Sequence, residues 1–237
     1  GTGATPAPFN RPIGPHRRVD WLPRPLARIR EIRLAVGGTV NDVVLATAAG
    51  GLGRFLAHCR GVDLDALDFR VMTPVSVRGP DEREALGNRV SAWILSLPLA
   101  ETDPLARLEA VRATTQELKE TKQALGAELL TQATEWTGGL LLSLASRLVT
   151  HGTPFNMVIT NVPGPQLPLW LLGSRMRAAH PMVPLLGLLG LGIALFSYDG
   201  TLSWGFCADW DLLPDLHELV TATWSAFDEL HAAATAS

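Results

Sequence analysis

Few residues in this chain have the types and spacing that chemistry requires. His16-Arg-Arg-Val-Asp20 has the H-x-x-x-D spacing in which a histidine acts as general base and a carboxylate orients its loop. It lies in a proline-rich stretch beside Arg11, Arg17, Arg18 and Arg24, and the bulky Trp21 follows the aspartate. Ser76 and Ser197 have no histidine near them in sequence, so only the fold could assemble a triad around either. His217 and His231 fall at opposite ends of one expected helix, cannot share a metal, and read as surface histidines. No C-x-x-C pair, H-E-x-x-H, G-x-S-x-G, phosphate loop or dinucleotide fingerprint is present. No metal site is therefore expected. Arg78 can hold a phosphate through a charge-assisted contact, or can pair with Asp81 or Glu82.

The elements that must carry these groups are better marked than the groups themselves. Gly37-Gly38 breaks the chain, and Thr39 then caps a helix that runs to about Arg60. Asp42 closes a capping-box variant and sits where the helix dipole favours a carboxylate. The apolar residues Val40, Val44, Ala48, Leu52, Phe55, Leu56 and Cys59 share one face, and Val43, Leu45, Ala46 and Ala49 extend burial to other sides. Gly50, Gly51 and Gly53 each cost about 1 kcal/mol against alanine, so this helix is expected to lie close against another backbone or a ligand. Capping accounts for Asp42 but not for Asn41, which is left as a ligand contact or an interface residue.

Around that helix, residues 1–25 hold Pro6, Pro8, Pro12, Pro15, Pro23 and Pro25 and predict an extended arm. Arg28 to Val36 alternates imperfectly and predicts a strand. Phe69 to Val77 predicts a strand placed at an edge, bulge or end by Pro74. Asn88 to Leu97 predicts another. Asp103-Pro104 starts a helix to about Lys122, followed by a helical region from Ala124 to Val149. The apolar stretch Leu140 to Val149 is either a packed helix or a membrane-touching one. Thr153 to Thr160 reads as a short buried strand entering a type II turn at Asn161-Val-Pro-Gly-Pro165. The apolar run Pro184 to Phe196 reads as buried strand, and Asp199-Gly200 joins two β runs, Leu188 to Ser197 and Thr201 to Ala208, in a hairpin. A last helix from Pro214 to about Ala233 buries Leu216, Leu219, Val220, Thr223, Trp224, Phe227 and Leu230. Strands and helices mixed in this order give an α/β layered domain.

Composition narrows the function classes. A hydrophobic content of 47% with 18% charged residues suits a large core, with apolar surface left for another domain, a lipid or a membrane. A net charge of −3 gives no general attraction to nucleic acid. The early arginines Arg11, Arg17, Arg18, Arg24, Arg28, Arg30 and Arg33 read as a solvated arm, or as a contact for a phosphate or an acidic surface. Two distant cysteines, Cys59 and Cys207, fit a reduced cytosolic setting. No uninterrupted apolar run reaches the ~18 residues of a membrane span. The opening Gly1-Thr-Gly-Ala-Thr-Pro resembles a linker, so the chain is expected to be a piece of something longer.

Several short motifs occur in fixed order: Phe9-Asn10-Arg11-Pro12-Ile13-Gly14 with Arg17-Arg18, Thr39-Val-Asn41-Asp42-Val-Val-Leu-Ala46, and Pro74-Val-Ser76-Val-Arg78 with Gly87-Asn88. After them come Asn161-Val-Pro163-Gly164-Pro165, Pro168-Leu169-Trp170 with Gly173, and Ser197-Tyr-Asp-Gly200 with Pro214-Asp215. Together they make the chain resemble, from about Thr5 to Ala233, the C-terminal half of the bacterial wax ester synthase/diacylglycerol acyltransferase family.

That resemblance implies a chloramphenicol-acetyltransferase-like α/β domain, a mixed β-sheet flanked by helices, forming one half of a two-domain acyltransferase around a central tunnel. It implies a division into an interdomain arm over 1–25 and the C-terminal domain over 26–237. It also implies transfer of a fatty acyl group from acyl-CoA to diacylglycerol or a long-chain alcohol, in triacylglycerol or wax ester synthesis, with acyl-CoA as substrate and no cofactor. The family's catalytic His-His-x-x-x-Asp-Gly is absent here, so no catalytic residue is assigned and the chain alone is expected to be inactive. Asn41 and Asp42 are assigned to the interface and tunnel. Ser76, Arg78, Asn88, Asn161, Pro163, Gly164, Leu169, Trp170, Gly173 and Ser174 are the substrate- or CoA-binding candidates. The implied partners are an N-terminal half carrying the histidine, a membrane or lipid-droplet surface, and a second copy of the full enzyme. The expected location is cytoplasmic, peripheral to the inner face of the membrane. The alternative is a non-catalytic lipid- or CoA-binding or structural module.

Overall fold

A computed structural model describes residues 3–76, 90–129 and 154–236. Its centre is a six-stranded mixed sheet built from β1 (Arg17–Pro25), β2 (Arg70–Ser76), β3 (Val90–Ser96), β4 (Met157–Pro163), β7 (Leu191–Tyr198) and β8 (Thr201–Asp209). The spatial order is β1-β8-β7-β4-β2-β3. The strands β2, β4 and β7 run parallel to one another, and β3, β8 and β1 complete the sheet with antiparallel pairs. A separate hairpin pairs β5 (Trp170–Leu171) with β6 (Ser174–Arg175). The helices are α1 (Leu26–Val36), α2 (Val40–Arg54), α3 (Pro104–Leu129) and α4 (Leu216–Thr235). Side chains from the sheet (Leu22, Ile193, Leu195, Trp204) and from the helices (Ile29, Val44, Leu52, Phe227) form one continuous core.

Strands β7 and β8 are buried almost throughout because both sheet faces are covered. On the face away from the helices, the segment 181–185 crosses them so closely that a Cβ at Gly205 would lie 1.7 Å from the Pro181 carbonyl oxygen. The ladder starts at Leu191, three residues into the expected β run from Leu188 and well past the Pro184 start of the apolar run. The Asp199-Gly200 turn forms as expected, with φ of 44° and 79° at its two central residues.

Three sequence expectations are corrected. Arg28 to Val36 is helix, not strand. Leu26, Ile29 and Ile32 are buried at three-residue spacing, while Leu34, which an alternating strand would bury, is 88% exposed. The arm gives way to edge strand β1 from Arg17, where Pro23 and Pro25 are tolerated because no described strand pairs with the outer side. Asn161 to Pro163 is not a turn but the end of β4, paired with Leu195 to Ser197 of β7. Gly164 lacks the positive φ of a type II turn. Glycine is needed there because a Cβ would come within 2.3 Å of both Phe196 and the Ser197 carbonyl oxygen. Two smaller differences concern exposure. Trp224 is half exposed beneath the Arg24 guanidinium, 3.4 Å from its ring centre. Cys59 is exposed because α2 widens into a π turn over Phe55–Cys59, which rotates the apolar face away from it.

The helix α2 begins as its sequence implies. Thr39 Oγ1 accepts from the Asp42 N–H, and Asp42 Oδ2 accepts from the Thr39 N–H and hydroxyl. Of its glycines, Gly50 faces the Arg107 guanidinium and Ala226 Cβ, and Gly51 and Gly53 face backbone. A Cβ on Gly51 would sit 2.7 Å from Thr223 Cα of α4, and one on Gly53 would sit 2.3 Å from the Leu99 carbonyl oxygen. Overpacking of this kind costs about 3 kcal/mol. The better helix propensity of alanine returns only about 1 kcal/mol. Gly51→Ala is therefore expected to lower stability by about 2 kcal/mol in urea unfolding, and an unchanged or raised midpoint would refute the close approach. The buried Arg107 of α3 fixes the same region by donating to the carbonyls of Ala46 and Glu101.

The N-terminal arm is clamped rather than solvated over residues 5–14. Phe9 is buried against Phe69, with ring centres 6.1 Å apart. Asn10 Nδ2 donates to the carbonyls of Asn156 and Leu188. The Gly14 N–H donates to Asp209 Oδ2 at 2.7 Å, and Arg17 lies 3.6 Å from the same oxygen. Burial pushes the Asp209 carboxyl up, but the N–H groups of Leu212, Gly14 and Asp211 and the Arg17 charge outweigh it and hold the group below the usual carboxylate range.

Candidate functional site

The site arises where the parallel sheet splits. β2 pairs with β4 only at Val71 and Met72, and the two strands then separate. Pro74, which has no N–H for a ladder, lies beyond that last pair. Into the gap points the N-terminus of α2, and α1 and α3 close the sides. The result is a cavity of about 590 Å³. It is lined by Thr39, Val40, Asn41, Asp42 and Leu45 of the α2 region, and by Thr73, Pro74, Trp93, Asn161 and Pro163 of the sheet. Gly164, Gln166, Ser197 and Leu202 complete the inner wall, with Leu26 of α1 and Thr115 of α3.

Asn41 and Asn161, 120 residues apart in sequence, meet here. Asn161 Nδ2 donates to Asn41 Oδ1 at 2.8 Å. That bond leaves the Asn41 amide N–H groups and the Asn161 amide oxygen to face a ligand. Asp42 behaves differently. Its Oδ2 serves the Thr39 cap and its Oδ1 accepts from the Thr115 hydroxyl of α3 at 2.8 Å, in a carboxylate only 3% exposed. Asp42 thus ties α2 to α3 and holds Asn41 in place.

Arg30, Arg33 and Lys119 lie on the exposed side of the cavity. Among the described residues, no acidic side chain pairs with any of the three. With the positive end of the α2 dipole, they make this opening favourable to an anion. Apolar side chains of the lining are Leu26, Val40, Leu45, Trp93 and Leu202. Among the described residues, no histidine or cysteine lines the cavity, and no group of three or more His, Cys, Asp or Glu residues is placed to hold a metal. The arrangement can hold a long amphiphile with an anionic end, and the one carboxylate among its described lining residues, Asp42, is engaged by Thr39 and Thr115.

Of the residues singled out in the sequence, Asn41, Asp42, Asn161, Pro163 and Gly164 line this cavity. Ser76 closes β2 opposite Val90. Arg78 and Asn88 lie outside the described residues, as do the charged loop 79–87 and the apolar stretch 140–149. Leu169, Trp170, Gly173 and Ser174 do not border the cavity. They belong to the β5–β6 hairpin, where Leu169, Trp170, Leu171 and Leu172 are 45–98% exposed. The Tyr198 hydroxyl holds that hairpin by accepting from the Leu169 N–H and donating to the Met176 carbonyl. The bare H-x-x-x-D spacing is also elsewhere, since Asp20 pairs with His217 Nδ1 at 3.0 Å on the surface.

Sequence reading named Arg30 and Arg33 only within the early arginine cluster, named Ser197 only as a serine without a nearby histidine and as part of a motif, and missed Lys119 and Gln166. A helical reading of 26–36 would have put Arg30 and Arg33 on one face, three residues apart. Nothing local marked Gln166.

The family model described as the WS/DGAT C-terminal domain matches residues 86–231, and the wax ester synthase/diacylglycerol acyltransferase catalytic domain matches residues 1–44. A diacylglycerol O-acyltransferase homologue from Mycobacterium tuberculosis (strain H37Rv) is 34% identical over 233 residues, covering 96% of this chain and 46% of its own length. The O-acyltransferase WSD of Acinetobacter baylyi is 31% identical over 214 residues, covering 90% of this chain and 46% of its own. The chain therefore spans about half the length of the curated relatives it matches. In fold it is similar to a wax ester synthase/diacylglycerol acyltransferase from Marinobacter aquaeolei VT8, with a TM-score of 0.76 at 24% identity over 98% of this chain and 52% of that one. It is also similar to a peptide-synthetase cyclization domain from Sorangium cellulosum, with a TM-score of 0.60 at 18% identity over 96% and 46% of the two chains.

Proposed function

The chain belongs to the wax ester synthase/diacylglycerol acyltransferase family, and from that premise we propose that it is the C-terminal half of an O-acyltransferase. The reaction moves a fatty acyl group from acyl-CoA to diacylglycerol or a long-chain alcohol. The acceptor hydroxyl loses its proton to a histidine of a His-His-x-x-x-Asp-Gly motif in a half outside this chain, and its oxygen attacks the thioester carbonyl. The C–O ester bond forms, the C–S bond breaks, and the CoA thiolate takes the proton back. No cofactor is required.

The observation that carries this reading is the cavity, whose described lining offers binding groups while its one carboxylate, Asp42, is engaged by Thr39 and Thr115. Its apolar walls suit acyl chains, and the Arg30, Arg33 and Lys119 side suits the phosphates of CoA. Asn41 and Asn161 position substrate between them. The exposed Leu-Trp-Leu-Leu hairpin at 169–172 supports a peripheral position on the cytoplasmic membrane face or a lipid droplet, where tryptophan favours the interface. A homodimer of the full enzyme belongs to the same reading.

The test is an acyl-transfer assay with palmitoyl-CoA and either diolein or hexadecanol. The purified chain is expected to be inactive alone, and activity is expected when a family N-terminal half bearing the histidine motif is joined to it. Turnover by the chain alone would overturn the division of labour.

A further inference from the structure

We propose that the Ser197 hydroxyl is a hydrogen-bond donor held ready for a carbonyl oxygen of the lipid substrate. The inference rests on the acyl-transfer reading above. It follows from the direction of every bond around one side chain.

The Gly200 N–H donates to Gln166 Oε1 at 3.1 Å. A main-chain N–H can only donate, so the oxygen of the Gln166 amide must face it. The other end of that amide is then its NH2 group. This agrees with an independent contact, since Gln166 Nε2 donates to the Gly164 carbonyl, which can only accept, at 2.9 Å. The same Nε2 donates to Ser197 Oγ at 3.1 Å. The Gly164 N–H also donates to Ser197 Oγ, at 3.2 Å. A hydroxyl has two lone pairs and one proton. Both lone pairs of Ser197 are thus occupied, and its proton is the one bonding capacity left.

No described residue accepts that proton. Ser197 is 7% exposed and forms part of the cavity wall beside Pro163 and Leu202. Two bonds donated into an oxygen polarise its own O–H and strengthen the bond it can give. A group that can only donate, in an apolar part of the wall, fits a neutral acceptor without a proton of its own. The carbonyl of an acyl thioester or of a glycerol ester is such a group. Asn161 and Ser197 lie on adjacent parallel strands, so one substrate can reach both. Among the described residues no base is placed to take the Ser197 proton, so the hydroxyl is assigned here as a donor and not as a nucleophile.

The test is isotope-edited infrared spectroscopy of the purified chain with palmitoyl-CoA, or with dipalmitoylglycerol, labelled at the acyl carbonyl. The expected result is that one bound probe shows its carbonyl stretch below the free frequency. The shift should be lost in Ser197→Ala and in the bulk-preserving Ser197→Cys, and kept in Ser197→Thr. A shift with palmitoyl-CoA identifies the thioester carbonyl, and a shift with dipalmitoylglycerol identifies the acceptor's ester. Binding of both probes with an unshifted stretch, or one insensitive to Ser197, overturns this inference and leaves the acyl-transfer reading standing. If neither probe binds, both fall.

Discussion

Asp42→Ala is expected to destabilise the chain by about 3 kcal/mol, while the neighbouring Asn41→Ala costs about 1 kcal/mol. The aspartate loses its half of the capping box at Thr39, and the Thr115 hydroxyl of α3 loses its acceptor in a buried place. A cap contributes about 1 kcal/mol and a buried bond to a charged group about 2 kcal/mol. Asn41 gives up one partly exposed bond to Asn161. The order should reverse for substrate. Binding of palmitoyl-CoA, measured by calorimetry below the unfolding temperature, should weaken about tenfold in Asn41→Ala, the factor one lost ligand bond carries. Asp42→Ala should bind nearly as the parent does wherever it is folded. If Asn41→Ala binds normally and Asp42→Ala alone abolishes binding, the roles assigned to the two residues are reversed.

The second large effect is expected at the arm. Asn156 is fully buried and is bonded on every side. Its Oδ1 accepts from the Arg70 N–H at 2.8 Å, and its Nδ2 donates to the Thr5 carbonyl at 2.7 Å and to Asn10 Oδ1 at 2.8 Å. Asn156→Ala removes these bonds and strands the partly buried Arg70 N–H and Thr5 carbonyl without this partner. Each stranded group costs about 1–3 kcal/mol, so the loss should reach about 4 kcal/mol, a large part of the stability of a domain. Urea denaturation followed by tryptophan fluorescence gives the value, and limited proteolysis should show early cleavage within residues 5–14. A loss below about 1 kcal/mol would mean that the arm is not an integral layer of the domain. Asn156→Asp is a useful companion, because it keeps the acceptor for Arg70 and removes only the two donors to the arm.

Much of the framework was legible in the residues. The α2 start, the Asp103-Pro104 helix start, the Asp199-Gly200 hairpin and the stripe of α4 all depend on interactions within a few residues. A cap, a turn or an i, i+4 face leaves its mark where it acts. The errors fell where distant chain decides. The segment 26–36 is too short for its period to be secure, and the buried partners of Ile29 and Ile32 make it a helix. The Asn-Val-Pro-Gly-Pro stretch looked like a turn because Pro-Gly favours one. Its path is set instead by pairing with β7 and by the approach of Phe196 to Gly164.

The sequence by itself determined the family, the layered α/β class, the capped helix at Thr39 and the absence of the catalytic histidine motif from this chain. These follow from local order along the chain and from residue identity. Only the tertiary structure decided which of the marked residues form a site. It joined Asn41 to Asn161, spent Asp42 on packing, brought Arg30, Arg33 and Lys119 to one opening, and set the Leu169–Leu172 hairpin apart from the cavity. The physical reason lies in the sheet. Two parallel strands separate after Met72, and which side chains face the gap depends on pairings between segments more than 80 residues apart. No spacing within either segment records that.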